Sequence, residues 1–391
     1  MKHIATLVCG SLAVIMLACR PAAADVISDR LHKWLCPYLE EEAPLPEGHP
    51  ETDKQFILDN ARMIREALPD KLRVRPDRKR RILVLTRGSF GTLHVPGQAG
   101  MLIMLRTAGE RFEPYEFVEH WTDQDLTIEK LQQFDAVILN NVGRVEWGST
   151  DRLYNEILPR YVRAGGGLFA NHSGAHLLMK DPGAPFHVML GGSNHPEKYH
   201  PKRHGATFRV VLPDPKHPLA AAFLAKETRH VVEFEWFEGK TFRKHRREFT
   251  APRELADELY NFHRLSNADG AARPIAMVGR EKWDRGDYPE ESKPFTLSLV
   301  WIKAFGKGRV YYTQFGHNMA IFSIPSVVQS MLDGIQYAVG DIEADDSPPE
   351  PPIAGSCTES GCRRTRQGNG VSVGSSEAAP QMLEPRRMSW A

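Results

Sequence analysis

Over residues 81–178 short unbroken apolar runs alternate with stretches of helical spacing, the rhythm of buried parallel strands separated by helices. Arg81–Arg87 predicts a strand leaving through Gly88-Ser89-Phe90-Gly91, and Gln98–Ala108 a helix with Met101, Leu102 and Leu105 on one side. A strand at Tyr115–Glu119 precedes a helix over Thr127–Gln133, whose Ile128 and Leu131 face inward. Asp135–Asn140 reads as the next strand, ending in the polar loop Asn140-Asn141-Val142-Gly143-Arg144. Asp151–Ala164 carries Leu153, Ile157, Leu158, Tyr161 and Val162 at helical spacing, and Gly165–Gly167 stops it. The run Leu168–Ala170 then predicts a fourth strand, a sharp turn at Asn171-His172-Ser173-Gly174, and a helix through His176, Leu177 and Leu178.

Strands alternating with helices argue for an α/β fold: a doubly wound, mostly parallel sheet with helices on both faces. Right-handed crossovers bring the loops at Gly88, Asn140 and His172 to one rim, where ligands of such sheets bind. Beyond it the pattern turns antiparallel: strands are expected at Thr207–Leu212, Val231–Phe237 and Pro274–Gly279, and a pair at Leu297–Ala304 and Arg309–Gln314 joined by Gly306-Lys307-Gly308. Ser326–Val339 reads as the last helix. Before the domain, residues 25–80 form an N-terminal arm or lid with a helix at Gln55–Leu68; residues 343–391, rich in Pro, Gly, Ser and Arg, read as a disordered tail.

Composition adds limits. The 50 basic and 49 acidic residues give no global field that would recruit nucleic acid. The basic runs Arg73–Arg81 and Lys240–Arg247 lack interleaved aromatics and read as solvated surface. Met1-Lys2-His3 followed by the apolar Ile4–Ala18 reads as an export signal within residues 1–24, so the protein is expected in the periplasm or outside the cell. Cleavage after Ala24 suits simple secretion; lipidation of Cys19 would add a membrane anchor, the one membrane partnership expected. In an oxidising compartment Cys357 and Cys362 can pair, leaving Cys36 alone. No Cys falls in the central region to act as a nucleophile, and Gly88-x-x-Gly91 lacks the spacing of a dinucleotide fingerprint, so no nicotinamide cofactor is expected.

The candidate chemistry lies in the polar turns. His172 and Ser173 stand at the carboxyl end of the fourth strand, where Ser173 can also serve as a helix cap and His172 as a loop hydrogen-bonding group. Asp257-Glu258-Leu259-Tyr260-Asn261 is an acidic turn, and Gln314-Phe315-Gly316-His317-Asn318 follows the last strand. A loop rich in His and Pro holds His195, His200 and His204, which with His172 or His176 could build a three-histidine ion site; no His-Glu-x-x-His helix is present, and Pro201 interrupts His200 and His204.

Together, the Gly-rich turn into Leu168-Phe-Ala-Asn-His-Ser173, the His217-Pro218 step, Asp257-Glu-Leu-Tyr260, and Gly306-Lys-Gly-Arg-Val310 leading to Gly316-His317 resemble the ThuA-like family. That family is named for trehalose utilisation and is similar in fold to class I glutamine amidotransferases and flavodoxin-like sheets. The resemblance spans roughly residues 80–340. Amidotransferases place a Cys on the strand-to-helix elbow where this chain has His172, so glutaminase chemistry is not expected; Asn171 and Ala175 also break the Gly-x-Ser-x-Gly elbow of hydrolases.

The resemblance implies instead a small carbohydrate ligand, with hydrolysis or isomerisation of an oxidised (keto) sugar or glycoside as the reaction. On that reading Glu258 is a general acid/base, His172 and His317 transfer protons or polarise, and Asn141, Ser173 and Tyr260 bind or orient the ligand. The bland alternatives are that Asp257-Glu258 binds backbone and Tyr260 is merely packed. A non-catalytic carbohydrate-binding protein and a metal-dependent hydrolase are the competing functions.

Overall fold

A computed structural model describes residues 25–348 apart from 44, 46–50, 88–93, 144–151, 178–182, 195–205, 239–240, 261, 264–271, 284–294 and 297. The expected leader, the loop at Gly88, the histidines at 195, 200 and 204, and most of the expected tail lie outside the described residues.

The N-terminal arm is two helices, α1 (Asp25–Leu39) and α2 (Glu51–Ala67), the first of which the sequence pattern did not suggest. The domain follows as β1 (Arg80–Thr86), α3 (Val95–Arg111), β2 (Tyr115–His120), α4 (Ile128–Leu131) and β3 (Ala136–Asn140). The helix read over Asp151–Ala164 opens as a π-helical turn, Leu153–Ile157, before α5 (Leu158–Arg163), and β4 (Gly167–Asn171) leads into the turn at His172. No helix runs on through His176: a 3-10 turn, His172–Ala175, ends there, and α6 begins only at Pro185 (Pro185–Leu190).

The second half holds β5 (Ser193–Asn194), β6 (Ala206–Val211), β7 (Thr228–Glu238), β8 (Thr241–Ala251), β9 (Glu254–Asp257) and β10 (Phe262–His263). It continues with β11 (Arg273–Trp283), β12 (Phe295–Thr296), β13 (Ser298–Phe305), β14 (Gly308–Thr313) and α7 (Pro325–Ala338).

The main sheet runs β2-β1-β3-β4-β14-β13-β11-β6-β9. From β2 through β14 neighbours pair in parallel; from β14 outward they pair antiparallel. This is the doubly wound, mostly parallel sheet with an added antiparallel portion. Alternate residues of each central strand enter opposite cores, as the two-residue period of a strand requires. Ile82, Val84, Ile138, Phe169 and Tyr311 join one core with residues of α1, α2, α3 and α7; Leu83, Leu85, Leu139, Ala170 and Tyr312 join the other with α5 and α6. Burial on both faces explains why these strands read as unbroken apolar runs.

Two surface assignments change. Of the basic runs read as solvated surface, Arg73–Arg81 is partly internal, with Arg80 buried against Asp341 and Arg73 binding the buried Asp333 at 2.6 Å. The described part of the other, residues 241–247, lies in β8 of a two-stranded ribbon with β7, keeping His245 and Arg246 exposed while Lys244 reaches Asp53 of α2 at 3.1 Å. The chain is also docked past residue 343: Arg273 binds Asp345 at 2.6 Å, and Tyr337 donates to Asp346 at 2.8 Å. Cys36 forms no disulfide, and no helix among the described residues is long and apolar enough to cross a membrane.

Candidate functional site

The parallel strands end level. Thr86 is the register partner of Asn140, Asn140 of Asn171, and Asn171 of Thr313, so four polar residues line the carboxyl edge. They are wired together: Asn140 Nδ2 donates to Thr86 Oγ1 and to the Gln98 carbonyl, both at 3.0 Å, and the Asn141 amide donates to Asn171 Oδ1 at 3.1 Å. Just beyond this edge the backbone is forced into the left-handed region at Asn141 (φ 51°) and His172 (φ 44°). Each such residue costs on the order of 1–3 kcal/mol, a strain typical of site turns and held here by the surrounding hydrogen bonds.

That turn aims His172 inward. Its Nδ1 lies 3.0 Å from the Gln314 carbonyl oxygen, which can only accept, so Nδ1 carries the proton and the Nε2 lone pair faces the interior. There Nε2 lies 3.1 Å from Glu258 Oε2 and 3.2 Å from His317 Nδ1, which is itself 2.8 Å from the same Glu258 oxygen. The Tyr260 hydroxyl completes the group, 2.7 Å from His172 Nε2 and 3.4 Å from His94 Nε2. His94, His172, Tyr260, Glu258 and His317 are all buried.

The five members come from four segments, Glu258 and Tyr260 sharing the one after β9. His94 caps α3, and Gly97 lets that helix approach the loop after β14: a Cβ there would sit 1.9 Å from the Gly316 oxygen and 2.7 Å from the His317 oxygen. Asp257 fixes Glu258 and His317 together, one carboxylate oxygen accepting the Glu258 amide at 2.9 Å and the other the Gly316 amide at 2.8 Å. Gln314 accepts the Tyr260 amide at 2.7 Å through Oε1 and donates to the Ser298 carbonyl at 2.6 Å. Tyr312 donates to the His172 carbonyl at 2.7 Å.

Electrostatics follow from burial. Desolvation, aided by His317, lowers the His172 pKa to about 3, and desolvation lowers that of His317 to about 4. Both imidazoles are therefore neutral at pH 7, and their contacts to Glu258 are hydrogen-bonding or lone-pair contacts rather than ion pairs. Burial pushes the Asp257 carboxyl up, against the nearby histidines and the Gly316 amide. A carboxylate, two neutral imidazoles, of which His172 turns its lone pair inward, and a phenol in mutual contact can accept, hold and return a proton within one cluster.

A family model described as "ThuA: Trehalose utilisation" matches residues 81–338, more than half of the sequence. The chain belongs to the ThuA family. Among solved structures it is similar to a ThuA-like protein from Bacteroides uniformis, at 15% identity and a TM-score of 0.49 over 67% of this chain and 93% of that one. A ThuA-like protein from Parabacteroides merdae matches at 16% identity and a TM-score of 0.38, covering 67% and 91%. A comparison with curated proteins returned no significant match.

Within this ThuA domain the structure brings together His172, Glu258, Tyr260 and His317 from turns far apart in sequence. Asn141 and Ser173 lie beside them in a bracing role. Asn141 Nδ2 donates to the Gly316 carbonyl at 2.8 Å, and its Oδ1 accepts from the Ser173 hydroxyl at 3.3 Å. His176 packs against the Tyr260 ring, with centroids 4.2 Å apart. Asp257 does bind backbone, as the bland reading had it, while its neighbour Glu258 turns into the cluster.

His94 is the member that sequence reasoning missed. The helix expected from Gln98 starts at Val95, and the extra turn places His94 at the helix start, beside the carboxyl edge of the sheet. The available signal was Pro96, a residue favoured in the first turn of a helix.

Proposed function

We propose that this ThuA-family protein acts on a small carbohydrate, by hydrolysis or isomerisation of an oxidised (keto) sugar or glycoside. The family's description supplies the sugar class. The observation that carries the chemistry is the mutual contact of His172 Nε2, Glu258 Oε2 and His317 Nδ1, each pair within 3.2 Å. A keto group acidifies the neighbouring C–H, so a positioned acceptor can take that proton. The enolate is then reprotonated at a different atom in isomerisation, or in hydrolysis expels the glycosidic oxygen as a donor protonates it, water adding to the new double bond afterwards.

In this reading Glu258 accepts that proton. Neutral His317 donates through Nδ1 to the carboxylate and steadies it. His172, fixed by the Gln314 carbonyl, relays a proton through Nε2 to or from the Tyr260 hydroxyl. Asn141 and Ser173 keep the two strained turns in place. An export leader, as expected from the first residues, would carry this activity outside the cytoplasm.

The test offers the purified protein a set of keto derivatives of trehalose and simple glucosides, oxidised at each ring hydroxyl in turn, with mass spectrometry of the products. Wild-type protein turns over at least one of them, while Glu258→Gln and His172→Ala abolish turnover but retain the folded circular-dichroism spectrum and measurable sugar binding. If no product forms with any keto sugar and both variants weaken sugar binding, the site is a carbohydrate receptor and the enzymatic reading is wrong.

A further inference from the structure

We propose that His94, His172, His317 and Glu258 form a binding site for one divalent first-row transition ion, of which zinc is the natural probe. Four donor atoms, one from each residue, lie within 4.8 Å of one another. Three of them, His172 Nε2, His317 Nδ1 and Glu258 Oε2, form a nearly equilateral triangle with edges of 2.8, 3.1 and 3.2 Å. Ligands about 2.0–2.1 Å from a tetrahedral zinc ion stand about 3.3 Å apart, so this triangle is close to one face of such a polyhedron, and the His94 donor atom lies within 4.8 Å of all three.

The surroundings agree with that use. His172 gives its outer N–H to a backbone carbonyl, the support that metal-bound imidazoles ordinarily have, and this leaves Nε2 as a lone pair pointing at a carboxylate oxygen 3.1 Å away. A cation among these atoms would meet both lone pairs, in place of the Tyr260 hydroxyl that lies 2.7 Å from His172 Nε2. Three imidazoles and one carboxylate suit zinc, iron, manganese or nickel better than calcium or magnesium, which prefer all-oxygen shells. Asp257 clamps Glu258 to the His317 loop, and Gly97 brings His94 within reach, so the donors are positioned by the fold itself.

Such an ion would polarise a carbonyl or hydroxyl oxygen of a ligand at the same rim. The inference concerns the same side chains as the sugar reading but does not depend on it, because ion binding is measured without turnover.

The experiment uses untagged full-length protein, stripped with chelator and titrated with Zn²⁺ by calorimetry. Zinc K-edge absorption of the loaded wild type reports the ligands. One equivalent bound, with three imidazoles and one oxygen in the first shell, is the expected result. His94→Ala combined with His317→Ala should weaken binding by about 100-fold or more, beyond what loss of a mere supporting residue does. His195→Ala with His200→Ala and His204→Ala should leave it unchanged. Absence of stoichiometric binding, a shell with fewer than two imidazoles, or loss of binding in the triple variant alone would overturn the proposal. The absorption spectrum decides the matter even if the double variant does not fold, and turnover of a keto sugar by ion-free protein would leave the acid–base reading standing whatever the zinc titration shows.

Discussion

His172 donates its Nδ1 proton to the Gln314 carbonyl at 3.0 Å, a contact set by the sheet itself. The preceding residues, Asn171 and Thr313, are register partners on the parallel pair β4 and β14, so the next residue of each strand emerges beside its neighbour. The imidazole orientation at the centre of the site is thus a consequence of strand register. A slip of one residue would turn the alternating core residues of β14 to the wrong faces.

Because His172 and His317 are buried neutral, acid should destabilise the fold in a defined window. Their folded-state pKa values, about 3 and about 4, lie below the ordinary imidazole value of 6.5. Between these limits the unfolded chain binds more protons, so stability is full above about pH 6.5 and falls as pH drops toward 4. Each imidazole contributes a slope of up to about 1.4 kcal/mol per pH unit. Asp257, with its raised pKa, works in the opposite direction at the acid end. Urea denaturation in the presence of chelator, repeated from pH 7.5 to 4, should show this loss, and His317→Gln should show a slope shallower by one proton.

Asp257 makes a sharper case for a residue that positions others. Both of its carboxylate oxygens accept backbone amides, those of Glu258 and Gly316. Asp257→Asn keeps the shape but sets an NH₂ against one of those N–H groups, losing a bond and leaving a buried donor unpaired. The expected cost is about 1.5–3 kcal/mol in a denaturant titration. Sugar or ion binding should weaken too, because Glu258 and the His317 loop are no longer tied together, whereas Asp257→Glu should recover neither.

The sheet was legible in the sequence because its strands are buried on both faces, which leaves unbroken apolar runs such as Ile82–Leu85 and Val137–Leu139 between well-marked helices. The turns carrying His172, Glu258 and His317 were legible for a related reason: each is a polar cluster at the end of an apolar segment. Their convergence was legible only through the family resemblance, since nothing local says that Glu258 reaches across to His172, 86 positions away. His94 was hidden because Pro96 and Gly97 look like helix breakers, although one fits the first turn and the other removes a clash. The helix expected after His172 failed for a different reason: Leu177 is an apolar core residue, but the segment from His172 to Ala175 is only a 3-10 turn shaped by the left-handed His172. The ribbon of β7 and β8 was half seen, since the basic residues of β8 mask an alternating strand.

A second buried charge lies far from the site in sequence. Asp333 of α7 has a fully buried side chain, paired with Arg73 at 2.6 Å and accepting from Gln329 at 2.7 Å. Desolvation raises its pKa despite the arginine. Arg73→Ala leaves the carboxylate without its counterion and should cost about 3–5 kcal/mol at neutral pH. A carboxyl whose folded pKa lies above its unfolded value gains folded-state protons as pH falls. The deficit relative to wild type should therefore shrink on acidification, which thermal melts at pH 7.5 and 5 will show.

Gly97→Ala tests the architecture of the site without replacing any of its polar side chains. The added methyl would fall 1.9 Å from the Gly316 oxygen, a backbone atom that cannot swing aside, so α3 or the loop after β14 must move. Forcing one methyl into packed structure of this kind typically costs about 1–3 kcal/mol. The displacement separates His94 from His317, whose rings stand 5.1 Å apart at the cluster. A melting temperature only modestly lowered, together with a loss of ligand or ion binding comparable to that of His94→Ala, is the expected outcome. Wild-type binding in this variant would mean that the approach of α3 to Gly316 is not what positions His94.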